Sequence, residues 1–237
     1  MTANHPGYSD PRNWDPISPV WHTVVLLGVF AALTILGWHS QRSFRASPPA
    51  PSPASRLMPL QIEAIVFEWA TLAWVWFGVR RKGVRVRELI AGRWASLHSV
   101  LVDASLGGAL WVIWTALSRA ADLFFGHPLA DTIPYPANLI ESLLAVVVAI
   151  SAGFCEEIVF RGYLQAQFRA LSGSAAAAVL LQAIVFGVPH VYQGTRLAAM
   201  VCIYGMLFGV LAHWRHSLRP GILAHAWSDI AARLLRI

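Results

Sequence analysis

Two adjacent acidic residues, Glu156 and Glu157, lie inside an apolar stretch, and Arg161 follows the second one by four residues. On an α-helix, residues four apart share a face, so the sequence predicts an ion pair between Glu157 and Arg161. Glu156 points about 100° away around the helix and is left free to act as a base. Taken alone, the same three residues are also consistent with a helix end that emerges into water.

Two histidines follow at helical spacings. His190 lies four residues after Phe186 and directly after Pro189, which is expected to disturb the helix and expose backbone groups that can line a cavity. His225 precedes Asp229 by four residues. A carboxylate at that position can orient the imidazole ring, accept its proton or share a metal site. Each pair alone is also consistent with a packed or interfacial histidine.

Taken together, these residues offer the groups that hydrolysis needs: a base for water, donors for the oxyanion and a cation that fixes the base. Zinc is the alternative, because Glu156, His190 and His225 form a two-His, one-Glu ligand set with a position left for water. The chain has no HExxH motif. The cofactor therefore stays open between zinc and none, and we favour metal-free water activated by Glu156.

The composition indicates a membrane protein. The chain is 57% hydrophobic and 13% charged, whereas soluble domains are about a quarter charged. The net charge of +6 comes mainly from arginines between apolar runs, which indicates loops facing an anionic leaflet rather than nucleic acid. We therefore predict an all-α fold, a polytopic transmembrane helical bundle with about seven spans.

The predicted organisation has four parts: a polar N-terminal tail (1–19), N-terminal transmembrane helices and loops (20–136), a catalytic helical core (137–232) and a C-terminal end (233–237). The first apolar run is expected to be a retained span. The predicted spans are 20–38, 58–79, 97–118, 137–172 (with a kink near Gly153), 174–190, 195–214 and 218–235.

The connecting segments have distinct characters. Residues 39–57 are predicted to form a Pro-rich flexible linker, and 119–136 a loop with turn signals. Residues 80–96 are the most basic stretch, expected in the cytoplasm with a short amphipathic helix on the membrane surface. Four further acids in or near spans have no assigned role: Glu63, Glu68, Asp103 and Glu141.

The ordered motifs EExxxR (from Glu156), FxxxH (from Phe186) and HxxxD (from His225) resemble the CAAX protease and bacteriocin-processing (CPBP) family. This family is also called the Abi family of type II CAAX prenyl endopeptidases. The intervening stretch with Tyr204, Gly205, Phe208 and Gly209 resembles it too. The resemblance covers about residues 137–232.

This resemblance implies an intramembrane endopeptidase in which Glu156 activates water with help from His190. Glu157 and Arg161 would brace the site, and His225 with Asp229 would stabilise the oxyanion. Related prenyl endopeptidases often have Asn at the last position. Because an ionised Asp cannot donate a hydrogen bond, we expect Asp229 to orient His225 instead.

The implied partners are membrane lipid and a hydrophobic or lipidated protein or peptide substrate, with no nucleic acid. The implied location is the cytoplasmic (inner) membrane, as a multi-pass protein. The alternative function is non-enzymatic: bacteriocin self-immunity or partner binding. Ion-coupled transport would use the same charges as a relay, but the chain lacks the internal repeat of many transporters.

The predicted helices leave one geometrical problem. Counted at 1.5 Å per residue, His190 lies about 24 Å from the start of its helix, whereas His225 lies only about 12 Å along its own. The helices must therefore be broken, tilted or offset for the motifs to meet.

Overall fold

The computed structural model describes residues 15–46, 57–126 and 135–235, and within these ranges all regular structure is helical. The all-α prediction is confirmed. Most of the predicted polar tail (1–14) and the prolines of the predicted linker lie outside the described residues. The α-helices are α1 (Val20–Ala46), α2 (Leu57–Arg80), α3 (Val86–Ile90), α4 (Leu97–Phe125), α5 (Leu139–Glu156), α6 (Gln165–Ser172), α7 (Ala175–Gly187), α8 (Thr195–Arg215) and α9 (Arg219–Ile230).

Six helical segments of the described chain are long and apolar enough to cross a membrane. They are Val20–His39, Leu57–Arg80, Leu97–Phe125, Leu139–Ser172, Ala175–Gln193 and Thr195–Arg215. The seventh predicted stretch forms the shorter α9, which continues as a π-helical turn over Ala231–Leu235. A polytopic bundle with about seven apolar helices is therefore confirmed.

Two predicted loop boundaries are wrong. Helix α1 continues to Ala46, into the predicted linker 39–57, because polar residues alone do not end a helix and the first proline after α1 is Pro48. Helix α4 continues to Phe125, into the predicted loop 119–136. It ends where Gly126 takes a φ of 75°, a conformation that glycine adopts without steric cost.

The predicted long helix forms as one rod over Leu139–Ser172. Its first turn is capped by Asn138, whose side chain accepts a hydrogen bond from the Glu141 backbone N–H. The irregularity lies over Glu157–Leu164, which is π-helical, and not at Gly153 as expected. A π-helical stretch widens the helix, and such stretches often occur at functional sites. Here it contains the second Glu and the Arg of the EExxxR motif.

Helix α9 runs antiparallel to this rod at very short range. A Cβ atom on Gly153 would lie 2.7 Å from the backbone N of Ala226, and one on Gly162 would lie 3.1 Å from Cδ1 of Leu218. The start of α9 is thus level with Gly162, ten residues before Ser172, which is an offset of about 15 Å along the rod. The hairpin of α6 and α7 therefore extends about 15 Å beyond the start of α9. This offset explains how His190 and His225 can lie in one region although they lie at different distances from the starts of their helices.

The basic segment 80–96 contains the predicted short helix, α3, but this helix packs against protein. Leu89 of α3 is only 2% exposed and lies against Gly162. Leu218 donates its backbone N–H to the Ile90 carbonyl at 2.9 Å. The side chain of Arg219 donates to the carbonyls of the next two residues, Ala91 and Gly92. These contacts fix the start of α9, and the expected place of α3 on the membrane surface stays a prediction.

Helix α1 is attached to the rod through the buried hydroxyl of Tyr163. This oxygen lies 2.6 Å from Ser18 Oγ, 2.8 Å from Thr23 Oγ1 and 3.0 Å from His22 Nδ1. His22 Nε2 donates to the Trp74 carbonyl of α2 at 2.8 Å. Because a carbonyl only accepts, the neutral His22 ring accepts from Tyr163 at Nδ1. The network joins α1, α2 and the π-helical stretch.

Candidate active site

Glu157 connects the rod to α9. Its side chain is 1% exposed, and Oε1 accepts a hydrogen bond from Nδ1 of His225 at 2.9 Å. The same oxygen lies 3.0 Å from Nη1 of Arg161, so the ion pair predicted from the spacing is present. Glycine at position 221 lets the Glu157 side chain come close to α9, since a Cβ there would lie 3.0 Å from Oε2 of Glu157. The contact with His225 joins residues 68 positions apart, and no sequence signal indicated it.

Arg161 is buried among aromatic rings. Its guanidinium carbon lies 4.2 Å from the centre of the Phe186 ring and 5.3 Å from that of Phe208. A cation over an aromatic face is attracted by the ring quadrupole, most strongly where water is excluded. The two phenylalanines belong to motifs on α7 and α8, so Arg161 links three elements at the base of the site.

The imidazole of His225 is held in one orientation. Because Nδ1 donates to Glu157, Nε2 points the other way, to Oε2 of Glu156 at 3.6 Å and Oδ2 of Asp229 at 4.0 Å. Glu157 therefore provides the hydrogen bond that fixes Nδ1 of this ring, and the expected orienting role of Asp229 stays a prediction. The rings of Phe186, Tyr204 and Phe208 surround the imidazole edge-on.

Glu156 and His190 line one cavity of about 290 Å³. The chain turns into it as expected, because α7 ends at Gly187 and a 3₁₀ helix over Val188–Gln193 begins beside Pro189. His190 Nδ1 donates to the Phe186 carbonyl at 3.0 Å. In the neutral ring, Nε2 is therefore the nitrogen that can accept a proton.

The six predicted site residues lie in one region, because five of them form a chain of direct contacts and His190 lines the same cavity as Glu156. The five in contact are Glu156, Glu157, Arg161, His225 and Asp229. Asp229 differs from the others in facing a second cavity of about 340 Å³, which Arg233 and Gln61 also line. Tyr192 lines both cavities. The roles that the resemblance implies for these residues remain predictions.

The candidate zinc ligands Glu156, His190 and His225 do not form a metal site in the described part of the chain. No group of three or more His, Cys, Asp or Glu side chains there is arranged to hold a metal ion. Only one short contact links the set, that between Glu156 and His225 at 3.6 Å. The described side chains therefore show no zinc site.

The matching family model gives an independent result. Residues 138–231 match the model described as Type II CAAX prenyl endopeptidase Rce1-like. The predicted resemblance is confirmed. The Rce1-like segment extends from the cap of α5 to the end of α9, so it contains all six site residues and leaves α1–α4 outside. No curated protein and no solved structure matches the chain.

The Rce1-like segment and the six apolar helices agree with each other. In general, proteins of this family are CAAX-type intramembrane proteases. The six apolar helices indicate that the chain is an integral, multi-pass membrane protein. The family model points to membrane lipid as the environment and to a membrane-associated substrate.

Proposed function

We propose that the protein is an intramembrane endopeptidase that hydrolyses a peptide bond of a CAAX-like, lipidated substrate with water activated by Glu156. The observation that carries this proposal is the position of Glu156. Its carboxylate lines the 290 Å³ cavity and lies 3.6 Å from His225 Nε2. Glu156 therefore connects the cavity, which offers space for a substrate, with the fixed imidazole of His225.

The proposed reaction begins with a water molecule beside Glu156. The carboxylate takes one proton as the water oxygen bonds to the scissile carbonyl carbon. The negative charge that develops on the carbonyl oxygen is stabilised by a hydrogen bond from His225 Nε2, when that nitrogen carries a proton. The carbon–nitrogen bond then breaks, and Glu156 returns the proton to the leaving amine.

The other site residues prepare this geometry. Glu157 holds the His225 ring through Nδ1, and Arg161 balances the buried charge of Glu157. His190, which also lines the cavity, offers Nε2 of its neutral ring as a second acceptor for the water proton. Asp229 lies 4.0 Å from His225 Nε2 and adds negative charge on that side.

The cavity supports an apolar substrate. Apart from Glu156 and His190, most of its lining is hydrophobic or aromatic, with Phe30, Leu33, Phe67, Val159, Phe160 and Phe186. Such a lining suits an apolar peptide end or an attached lipid chain. We place the protein in the cytoplasmic membrane with the basic segment 80–96 on the cytoplasmic side, following the positive-inside rule.

The test compares membrane-protein termini in cells that express wild type, Glu156→Gln or Glu63→Gln at matched levels. Glu63 is an exposed acid of α2 and serves as the control. We expect new termini with wild type and Glu63→Gln and none with Glu156→Gln. New termini that persist in Glu156→Gln would overturn the assignment of the base. Identical termini in all cells, including cells without the protein, would favour binding or immunity over proteolysis.

A further inference from the structure

Glu68 of α2 is a buried acid for which the sequence indicated no role. The residue is 8% exposed, and it lines the same 290 Å³ cavity as Glu156. Its Oε2 atom is fully buried and has no hydrogen-bond partner among the described residues. Helix α2 lies outside the Rce1-like segment, so the family match does not account for this residue.

The other buried acids of the apolar helices have partners. Asp103 accepts hydrogen bonds from Trp94 and Arg215, and Glu141 accepts one from the Ala137 backbone N–H at 2.8 Å. A buried carboxyl oxygen without a donor carries a desolvation penalty that stays uncompensated until a donor arrives. Glu68 therefore has the property expected of a group whose partner is a ligand.

No side chain of the described cavity wall donates a hydrogen bond to Oε2 of Glu68. The Thr71 hydroxyl, one turn further along α2, donates to the Phe67 carbonyl at 2.8 Å. His190 Nδ1 is taken by the Phe186 carbonyl. Most of the remaining lining is hydrophobic or aromatic. A molecule inside the cavity can therefore supply the hydrogen bond that Oε2 of Glu68 lacks.

We propose that Glu68 binds the substrate by accepting a hydrogen bond from a backbone N–H of the apolar peptide segment that presents its carbonyl to Glu156. This inference rests on the proposed function. Every extended peptide carries N–H donors next to its carbonyls, and a backbone amide fits a mainly apolar cavity without bringing a second charge into it. Glu68 would thus select an unmodified backbone at one position of the substrate.

The test measures binding separately from cleavage. In the Glu156→Gln background, Glu68 is kept or replaced by Gln or Met, which have similar size. The probe is a dansylated peptide ending in farnesyl-cysteine and three apolar residues, titrated into purified protein in detergent. We expect Glu68→Met to weaken binding about tenfold and Glu68→Gln, which keeps an acceptor, by less than threefold. Glu63→Met on the same helix is the matched control, and thermal unfolding checks that each variant is folded.

A second set of probes identifies the donor. Each of the three amides after the farnesyl-cysteine is replaced in turn by an ester, which removes one N–H. One ester should weaken binding to the protein with Glu68 and leave binding to Glu68→Met unchanged, because the two changes remove the same hydrogen bond. Equal affinity of Glu68→Met, or losses that add at all three positions, would overturn the proposal. A probe that binds in this pattern but is never cleaved by wild type would refute the proposed function and leave the Glu68 site standing.

Discussion

Glu157 accepts a hydrogen bond from Nδ1 of His225 at 2.9 Å, and this contact directs Nε2 of the same ring to Glu156, 3.6 Å away. The carboxylate that orients the ring is therefore not the one that faces the cavity. Two adjacent acids of one motif have different environments: Glu157 is 1% exposed and ion-paired, whereas Glu156 is 27% exposed.

The first prediction concerns the buried charge of Arg161. Glu157→Gln should lower the free energy of unfolding by about 3–5 kcal/mol, because it leaves the guanidinium buried without a carboxylate. Combining it with Arg161→Met should recover most of this loss, since an apolar side chain replaces the unpaired cation. Thermal unfolding of purified protein in detergent measures both changes.

Cleavage should not recover in that double variant. His225 would then bond to a neutral amide instead of a carboxylate, and we expect activity at least about 100-fold below wild type. A folded double variant with wild-type turnover would show that Glu157 serves stability alone.

The second prediction concerns the contact of α5 with α9. Gly153→Ala would place a Cβ 2.7 Å from the Ala226 backbone N and 3.0 Å from the Ile222 carbonyl oxygen. Neither backbone atom can move without moving α9, which carries His225. We expect a loss of about 1–3 kcal/mol in stability and of about 100-fold in turnover, because a shift of about 1 Å misaligns the reacting groups.

Gly108→Ala is the matched control for this change. Gly108 is also a helical glycine of an apolar helix, but a Cβ there meets no atom within 4 Å. Alanine should leave turnover unchanged and slightly raise stability, since it favours helix over glycine by about 0.5–1 kcal/mol. Equal effects of the two substitutions would mean that the approach of α5 to α9 does not position His225.

The sequence predicted the helical class, the apolar helices and the EExxxR ion pair because these depend on local spacing. Residues four apart share a helix face whatever the rest of the chain does. The π-helical stretch was not predicted, since no residue type marks it. The end of α1 was misplaced because its last residues are polar yet remain helical.

The contacts that assemble the site could not be read from the sequence. Glu157 meets His225 only because α9 starts about 15 Å inside the end of the rod, and that offset follows from packing at Gly153, Gly162 and the segment after α3. The Tyr163 network joins residues more than 140 positions apart. Glu68 was noticed as an acid in a span, but its place opposite the motif residues depends on how α2 packs on α5.

The third prediction separates Asp229 from Glu157. Asp229 lies 4.0 Å from His225 Nε2 and its side chain is 41% exposed, so it is too far from the ring to accept a hydrogen bond from it. Asp229→Asn keeps the size of the side chain and removes its charge. We therefore expect turnover within about fivefold of wild type, whereas Glu157→Gln should lose about 100-fold or more. Both variants are assayed on the farnesylated peptide at equal protein concentration, with unfolding temperature as the check on folding. A loss in Asp229→Asn as large as that in Glu157→Gln would mean that Asp229 holds the ring during the reaction, and that the contact between His225 and Glu157 serves stability rather than orientation.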